Sequence, residues 1–290
     1  MSIELKTVKY IYMPKTPYER VALDDVSLTI EEGSFTAIAG HTGSGKSTLV
    51  QHLNGLLSPA AGEVLVDGID INAKDKAGKI KAWHARQQVG MVFQYAETQL
   101  FEETIAQDIA FGPRNQGLED AEIEERVRQA MEMVGLDYHK FKDMSPFALS
   151  GGQMRRVAMA GVLAMRPKYL VLDEPAAGLD PRGREELMAE IQRLHKKGKL
   201  TIVFVSHSME DIAQMADQMV VMQGGKLRAA ASPAEIFAQA GLLQETGLEQ
   251  PQIMQVLARL KQAGLPVDTR AITPEAGLRS LREVFNIHVK

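Results

Sequence analysis

The chain has 290 residues, of which 45% are hydrophobic and 24% charged, and this composition excludes a disordered or collagen-like protein. Its 33 basic and 37 acidic residues leave a net charge of −4, which argues against a nucleic-acid backbone as the main partner. The chain has no cysteine, so disulfides, cysteine-ligated metals and a cysteine nucleophile are excluded and a reducing compartment is favoured. No signal-peptide core or membrane-length apolar run is present, so we expect no membrane span.

The first third of the chain predicts short strands around a glycine-rich loop. Alternating apolar residues indicate strands over 4–12 and 20–30, and the continuous apolar run 35–39 indicates a strand buried on both faces. A helix is predicted from Thr48 to Leu57, directly after the loop. A hairpin over 61–71 and a strand over 89–93 follow, and helical periodicity then dominates over 99–138.

The second half alternates strands and helices. Two buried strands, 169–172 and 201–205, flank a helix over 184–196, a pattern that predicts a parallel sheet with crossover helices. A final strand pair, 218–222 and 226–230, precedes amphipathic helices that begin near Ser232, Pro251 and Thr273. We expect these helices to form a small appended piece, and the length agrees with a prior of about two domains.

The glycine-rich loop carries the pattern G-x-x-x-x-G-K-[ST] between a buried strand and a helix, where a phosphate-binding loop lies. Its glycines let consecutive backbone N–H groups face an anion, and the helix dipole adds positive potential. Lys46 is expected to reach the β- and γ-phosphates and the Ser47 hydroxyl to hold Mg²⁺. The predicted nucleotide residues here are Gly40, His41, Thr42, Gly43, Ser44, Gly45, Lys46, Ser47 and Thr48.

The strand over 169–172 ends in two carboxylates, Asp173 and Glu174. Asp173 is expected to bind Mg²⁺, and Glu174 to accept a proton from an attacking water. An acidic pair alone is more often a strand-end turn or a helix cap. Beside a phosphate loop, it predicts the second half of a site that hydrolyses a nucleoside triphosphate.

A second anion-binding device begins at residue 149, where the sequence reads LSGGQ at the start of a predicted helix. Its polar and glycine residues are Ser150, Gly151, Gly152 and Gln153. A single nucleotide does not need two such devices from one subunit. We therefore expect each subunit to present one surface to its own nucleotide and the other to its partner's.

The sequence resembles the nucleotide-binding subunits of ATP-binding cassette (ABC) transporters over about residues 3–230. Residues 149–153 match the family's signature motif, and Gln94 matches the Q-loop glutamine, which contacts Mg²⁺ and senses the membrane subunit. Asp180 lies in the matching D-loop and His207 matches the switch histidine. One departure is Ala176, where the family usually has Thr or Ser.

The resemblance implies particular ligands, site residues and partners. ATP and Mg²⁺ are the implied ligands, and a second ATPase subunit, homologous or identical, pairs head to tail with this one. The implied catalytic residues are Lys46, Glu174 and His207. The implied metal-binding residues are Ser47, Gln94 and Asp173. The implied further nucleotide contacts are Gln94, Ser150, Gly151, Gly152, Gln153 and Asp180.

An aromatic platform for adenine is also expected before the phosphate loop. Tyr12 is the first candidate and Tyr18 the second, because an aromatic face stacks on a base with little sequence demand. Strand packing is the alternative role for Tyr12.

The resemblance also implies the fold. We expect an α/β P-loop NTPase with a mostly parallel RecA-like core sheet, an antiparallel β subdomain, an α-helical signature subdomain and a C-terminal helical extension. The implied boundaries are 1–231 for the nucleotide-binding domain, about 95–165 for its helical subdomain, and 232–290 for a helical dimerisation extension.

Within the family, residues 94–104 and 108–113 are similar to the ATPases of energy-coupling factor (ECF) transporters, bacterial importers of vitamins and of nickel or cobalt ions. This similarity implies a transmembrane T component whose coupling helices dock after the Q-loop, and a substrate-binding membrane S component. It also implies a peripheral position at the cytoplasmic face of the membrane, and no nucleic-acid partner. Such transporters often have two different ATPases, and the long C-terminal extension favours the second.

Five apolar residues after the Q-loop have two possible roles: a partly exposed docking surface for a partner helix, or the core of the helical subdomain. They are Leu100, Phe101, Ile105, Ile109 and Phe111.

Three alternative functions fit the sequence less well. A soluble ABC-type ATPase of DNA repair or translation usually carries a long coiled-coil insertion or two cassettes, and the sequence has neither. A P-loop kinase has no use for the LSGGQ segment beside an acidic pair. The ATPase of another class of ABC importer is the nearest alternative, and the region around Gln99 distinguishes it.

Overall fold

The computed structural model describes residues 1–74, 82–198 and 200–285. The strands are Ser2–Tyr12 (β1), Arg20–Glu31 (β2), Phe35–Ala39 (β3), Ala61–Val66 (β4), Ile69–Asp70 (β5), Val89–Val92 (β6), Tyr169–Asp173 (β7), Thr201–Val205 (β8), Gln218–Gln223 (β9) and Lys226–Ala231 (β10). The helices are Lys46–Leu53 (α1), Trp83–Gln87 (α2), Ile105–Asn115 (α3), Asp120–Met133 (α4), Tyr138–Phe141 (α5), Gly151–Ala164 (α6), Pro181–Gly198 (α7), Met209–Met215 (α8), Pro233–Phe237 (α9), Ala240–Thr246 (α10), Gln252–Gln262 (α11) and Pro274–Phe285 (α12).

The strands form two sheets that confirm the predicted architecture. One sheet has the order β10-β9-β3-β8-β7-β6, in which only the β9–β10 pair is antiparallel among its described strands. The other is an antiparallel sheet of order β2-β1-β4-β5. The fold is therefore a P-loop α/β core joined to an antiparallel β subdomain.

The central strand β3 is buried on both faces, as its continuous apolar sequence predicts. Phe35, Ala37 and Ala39 pack into a hydrophobic cluster with the helices on one side of the sheet. Ile38 points to the other side, into a second cluster with α1 and the antiparallel sheet. The period-two alternation of a strand explains this division.

The boundaries predicted for one helix are wrong. The helix after the phosphate loop begins at Lys46 and ends at Leu53, because Gly55 adopts a left-handed conformation (φ +75°) that stops it. The helical periodicity predicted over 99–138 is confirmed: a 3₁₀ turn at Ala96–Gln99 precedes this region, which contains helices α3 and α4 and the start of α5. Thr104 forms a capping box that starts α3, and Gly117 (φ +75°) separates α3 from α4.

Of the five apolar residues after the Q-loop, three are buried in the core and two are exposed. Leu100, Ile105 and Ile109 are buried in the core with α4 and α6, so a docking role for them is wrong. Phe101 and Phe111 are 58% and 46% exposed. Helical spacing alone does not separate these two groups, because the turn at 100–104 changes which side faces the core.

The C-terminal helices pack on the antiparallel edge of the large sheet. Ile236 and Phe237 of α9 are fully buried in the main hydrophobic cluster, and Leu243 of α10 joins them. Helix α12 packs closely on α11, where Gly277 leaves room for Ile253. Of the expected extension, residues 286–290 lie outside the described residues. No helix of the described part of the chain is long and apolar enough to cross a membrane.

Candidate nucleotide site

The phosphate loop runs from the end of β3 to the start of α1, as its sequence pattern requires. Gly45 has a φ of +107°, and a Cβ added there would lie 2.7 Å from the carbonyl oxygen of Ala22. At Gly40 an added Cβ would lie 2.3 Å from the carbonyl oxygen of Met222. Both positions therefore require glycine, because any side chain would strike neighbouring backbone.

The Lys46 side chain is hydrogen-bonded to the backbone of this loop. Its Nζ donates to the carbonyl oxygens of Gly40 at 2.8 Å and His41 at 3.1 Å, and the side chain is almost fully buried. Burial lowers the pKa of Lys46, and the negative charges of Glu174 and Asp173 oppose that shift. The cationic end is thus held over the loop by acceptors that a phosphate oxygen can replace.

The two carboxylates at the end of β7 lie in different surroundings. Asp173 is buried, and burial raises its pKa, while a hydrogen bond from the Ser47 hydroxyl acts in the opposite direction. A bound cation would remove the cost of this buried charge. Asp173 and Ser47 therefore fit Mg²⁺, which usually takes one or two protein oxygens together with substrate phosphates.

Glu174 is held by residues from both neighbouring strands. Its Oε1 lies 2.7 Å from Nε2 of His207, and Nε2 of Gln94 donates to its Oε2 at 3.0 Å. The three residues follow β7, β8 and β6, which are adjacent and parallel, so their carboxyl ends meet at one edge of the sheet. Glu174 itself has a φ of +48°, an uncommon conformation for a non-glycine residue that often occurs at functional sites.

One cleft beside α1 brings most of the predicted residues together. Its lining includes the predicted residues Tyr12, Thr42, Gly43, Gly45, Lys46, Ser47, Thr48, Gln94, Glu174 and His207. The Tyr12 hydroxyl shares a 3.2 Å hydrogen bond with Oγ1 of Thr48, and its ring packs edge-on against Tyr10. Tyr18 is 80% exposed on the turn between β1 and β2, so Tyr12 is the candidate that lines the cleft.

Sequence reasoning missed Arg20 and Ala22, which also line the cleft. Arg20 is paired with Tyr12 across the β1–β2 ladder, and its Nη2 donates to the Gly43 carbonyl oxygen at 3.3 Å. The signal that could have found Arg20 is strand register, since it faces the predicted platform residue.

Comparison with known proteins identifies the family. The sequence profile of the family described as "ABC transporter" matches residues 23–177. The chain is 51% identical over 285 residues to "Energy-coupling factor transporter ATP-binding protein EcfA2" of Clostridium perfringens, covering 98% of this chain and 99% of the relative. It is 51% identical over 273 residues to the protein of the same name from Streptococcus agalactiae, covering 94% and 96%.

This chain belongs to the ABC transporter family. Within it, the chain is a member of the energy-coupling factor transporter ATP-binding proteins, and it is an ATP-hydrolysing transporter subunit that uses ATP and Mg²⁺.

Solved structures agree with this assignment. The structure of cbiO1 from Clostridium perfringens, part of the ABC transporter complex cbiONQ, has a TM-score of 0.73 and 35% identity, covering 90% of this chain and 96% of that one. The dimeric post-hydrolysis state of the ATP-binding cassette MJ0796, bound to ADP and Pi, has a TM-score of 0.69 and 29% identity, covering 80% and 98%. The family likeness supports an ATPase dimer that works with membrane partners.

The ABC signature residues lie at the start of α6, outside the lining of this cleft. Ser150 caps the helix, with its Oγ accepting from the Gln153 N–H at 3.3 Å and the Gln153 side chain accepting in return from the Ser150 N–H. Gly151 and Gly152 form the first turn; Gly151 is exposed and Gly152 is half-buried, and an added Cβ at Gly151 would meet nothing within 4 Å. Asp180 lies at the start of α7, where its side chain accepts from the Gly183 N–H at 2.6 Å.

Proposed function

We propose that this chain is the second ATPase subunit of an ECF importer, bound to the cytoplasmic face of the membrane, where it drives uptake of a vitamin or a transition-metal ion. The observation that carries the catalytic part is the placement of Glu174 between Gln94 and His207, in the same cleft as Lys46. Relatives named as ECF transporter ATP-binding proteins support the transport part.

In this proposal different residues of the cleft bind the adenine, the phosphates and the Mg²⁺ of ATP. The adenine stacks on Tyr12, the backbone N–H groups of the phosphate loop bind the phosphates, and Lys46 neutralises their charge. Ser47, Asp173 and Gln94 hold Mg²⁺, which supplies further neutralisation of the phosphate charge when bound.

Glu174 accepts a proton from the attacking water in the hydrolytic step. The proton moves to a carboxylate oxygen of Glu174. His207, whose Nε2 contacts that carboxylate, stabilises the charge that develops at the γ-phosphate. Gln94 orients the other carboxylate oxygen. The arrangement supports hydrolysis because base, cation and loop all line one cleft.

We further propose that two ATPases pair head to tail, so that the first turn of α6 covers the nucleotide of the partner. The backbone N–H groups of Gly151 and Gly152 at the helix start and the hydroxyl of exposed Ser150 suit a phosphate approached from outside the chain. Asp180 lies at the start of the adjacent α7 and contributes to this face. The C-terminal helices from residue 232 onward contribute to holding the pair together.

A coupling helix of the transmembrane T component is the proposed occupant of an apolar groove between α2, α3 and α6. The groove is lined by Trp83, Gln99, Phe101, Phe111, Gly112 and Met165, among others. Phe101 and Phe111 pack edge to face with ring centres 5.0 Å apart, and Trp83 is 57% exposed beside them. Exposed aromatic residues around a concave apolar surface are typical of a site that binds an amphipathic helix. The S component joins through the T component.

Site-specific crosslinking tests the transport part. A photoreactive benzoylphenylalanine placed at Phe111 should crosslink to a transmembrane subunit when this chain is co-expressed with importer membrane subunits from the same genome. The same group placed at Leu56, which is 57% exposed outside the groove, is the matched control. Equal crosslinking from both positions, or none from Phe111, would contradict the proposal.

A further inference from the structure

A single buried guanidinium, that of Arg155, joins two segments that are far apart in sequence. Its Nε and Nη2 donate to the two carboxylate oxygens of Glu97 at 3.1 and 2.9 Å. Its Nη1 donates to the carbonyl oxygens of Pro175 at 2.9 Å and Ala177 at 2.7 Å. Only 4% of Arg155 is exposed, although it lies one turn inside α6, close to the exposed signature residues.

This geometry is specific for arginine. A guanidinium has about five N–H donors in a planar fork, and Arg155 directs four hydrogen bonds to two segments with them. Lysine would keep the charge but could not grip the carboxylate of Glu97 with two bonds and reach two carbonyl groups as well. Burial tends to raise the pKa of Glu97, but the hydrogen bonds and charge of Arg155 lower it below its ordinary value.

One of the two joined segments lies beside the apolar groove, and the other directly follows Glu174. Glu97 lies in the 3₁₀ turn Ala96–Gln99, between Gln94 at the predicted catalytic cleft and the groove residue Gln99. Pro175 and Ala177 directly follow Glu174. Gln94 donates a hydrogen bond to the carboxylate of Glu174, while Arg155 donates to the carbonyl oxygens of Pro175 and Ala177, the first and third residues after it.

We propose that Arg155 is a positioning residue that ties the segment beside the docking groove to the loop carrying Glu174, so that movement of the one displaces the other. A bidentate buried ion pair transmits displacement well because it resists stretching and its separation would leave a charge unpaired in the interior. Because Arg155 belongs to α6, the same contact also fixes the signature turn relative to the catalytic loop of its own chain. The coupling role rests on the proposed occupant of the groove, whereas the positioning of Glu174 does not.

Arg156 provides a matched control on the same helix. Its Nη1 donates to the Val134 carbonyl oxygen at 3.2 Å and its Nη2 to Glu186 at 3.1 Å. Arg156 therefore anchors α6 in another direction with two hydrogen bonds, and neither of them reaches the Glu97 turn or the loop after Glu174.

Steady-state ATP hydrolysis tests the positioning role. Arg155→Lys and Glu97→Gln should each lower kcat about tenfold with KM for ATP changed less than about twofold, because only the placement of Glu174 is affected. Arg156→Lys should leave both values unchanged. Thermal unfolding of each variant is measured alongside. A lower unfolding temperature with unchanged kcat would show a merely structural role and would overturn the proposal, as would an equal loss in Arg156→Lys.

The coupling role is tested in the assembled complex captured through the Phe111 crosslink site. The ratio of ATP turnover with and without the transmembrane subunit should fall toward one in Glu97→Gln, while the complex still forms. Full stimulation in Glu97→Gln would overturn the coupling role and leave the proposed function intact. Failure of the unmodified chain to bind any transmembrane subunit would contradict the proposed function and the coupling role together, while the kcat comparison would still decide whether Arg155 positions Glu174.

Discussion

Oε1 of Glu174 lies 2.7 Å from Nε2 of His207, although 33 residues separate them in the chain. The contact exists because β7 and β8 are neighbouring parallel strands whose carboxyl ends meet above the phosphate loop. The strand order thus brings Glu174 next to side chains that follow the strands on either side of β7.

The first prediction tests Glu174 as the general base of ATP hydrolysis. Glu174→Gln should lower ATP turnover at least about 100-fold while ATP binding persists, because the amide keeps the shape but accepts no proton. Turnover measured with the paired ATPase, together with binding of a fluorescent ATP analogue, checks this. Glu186→Gln, on an exposed surface glutamate, is the control and should hydrolyse ATP normally. Near-normal turnover in Glu174→Gln would remove Glu174 from the base role.

The second prediction concerns the adenine platform. Tyr12→Ala should weaken ATP binding about tenfold, since stacking of a base on an aromatic ring contributes about 1–3 kcal/mol. Tyr12→Phe keeps the ring and should bind nearly as well, although it loses the hydrogen bond to Thr48. Tyr18→Ala should have no effect. Equal losses in Tyr12→Ala and Tyr18→Ala, measured by calorimetry, would contradict the assignment.

The third prediction concerns stability and pH without nucleotide. Burial raises the pKa of Asp173, so its ionised form is less favourable in the folded than in the unfolded chain. Asp173→Asn should therefore raise the unfolding temperature near neutral pH. The gain should vanish as the pH falls below the ordinary carboxyl pKa, where both states are protonated.

Thermal unfolding across this pH range checks the sign. Asp143→Asn, at a carboxylate whose side chain is 82% exposed, should show no such gain at any pH. The Asp173 variant should also lose Mg²⁺-dependent stabilisation by ATP. A lower unfolding temperature for Asp173→Asn at neutral pH would mean that local attractions to Ser47 and Lys46 outweigh burial.

The fourth prediction concerns the surface offered to the partner. Ser150→Arg should leave ATP bound to this chain's own loop but lower turnover of the pair at least about tenfold, because the side chain obstructs the partner's phosphates. Photolabelling with an azido-ATP separates binding from turnover. Ser58→Arg, at another exposed serine, is the control. Loss of labelling in Ser150→Arg would indicate damage within its own site instead.

Features whose chemistry is local could be predicted from the order of residues alone. Residues 40–47 have the pattern of a phosphate loop because their glycines and the helix start lie within one short segment. The strand before Glu174 could also be predicted, because its residues form a short continuous apolar run. The Ser150 capping box is likewise encoded within four residues. Gln94 and His207 were predicted as site residues from the order of the family motifs along the chain.

Contacts between elements that are distant in sequence depend on how the chain packs in three dimensions. Arg20 reaches the cleft through the register of β1 against β2, and Arg155 meets Glu97 because α6 packs against the 3₁₀ turn after Gln94. The separation of buried Leu100 from exposed Phe101 depends on where that turn redirects the chain. These features depend on long-range packing, which no local pattern of residues specifies.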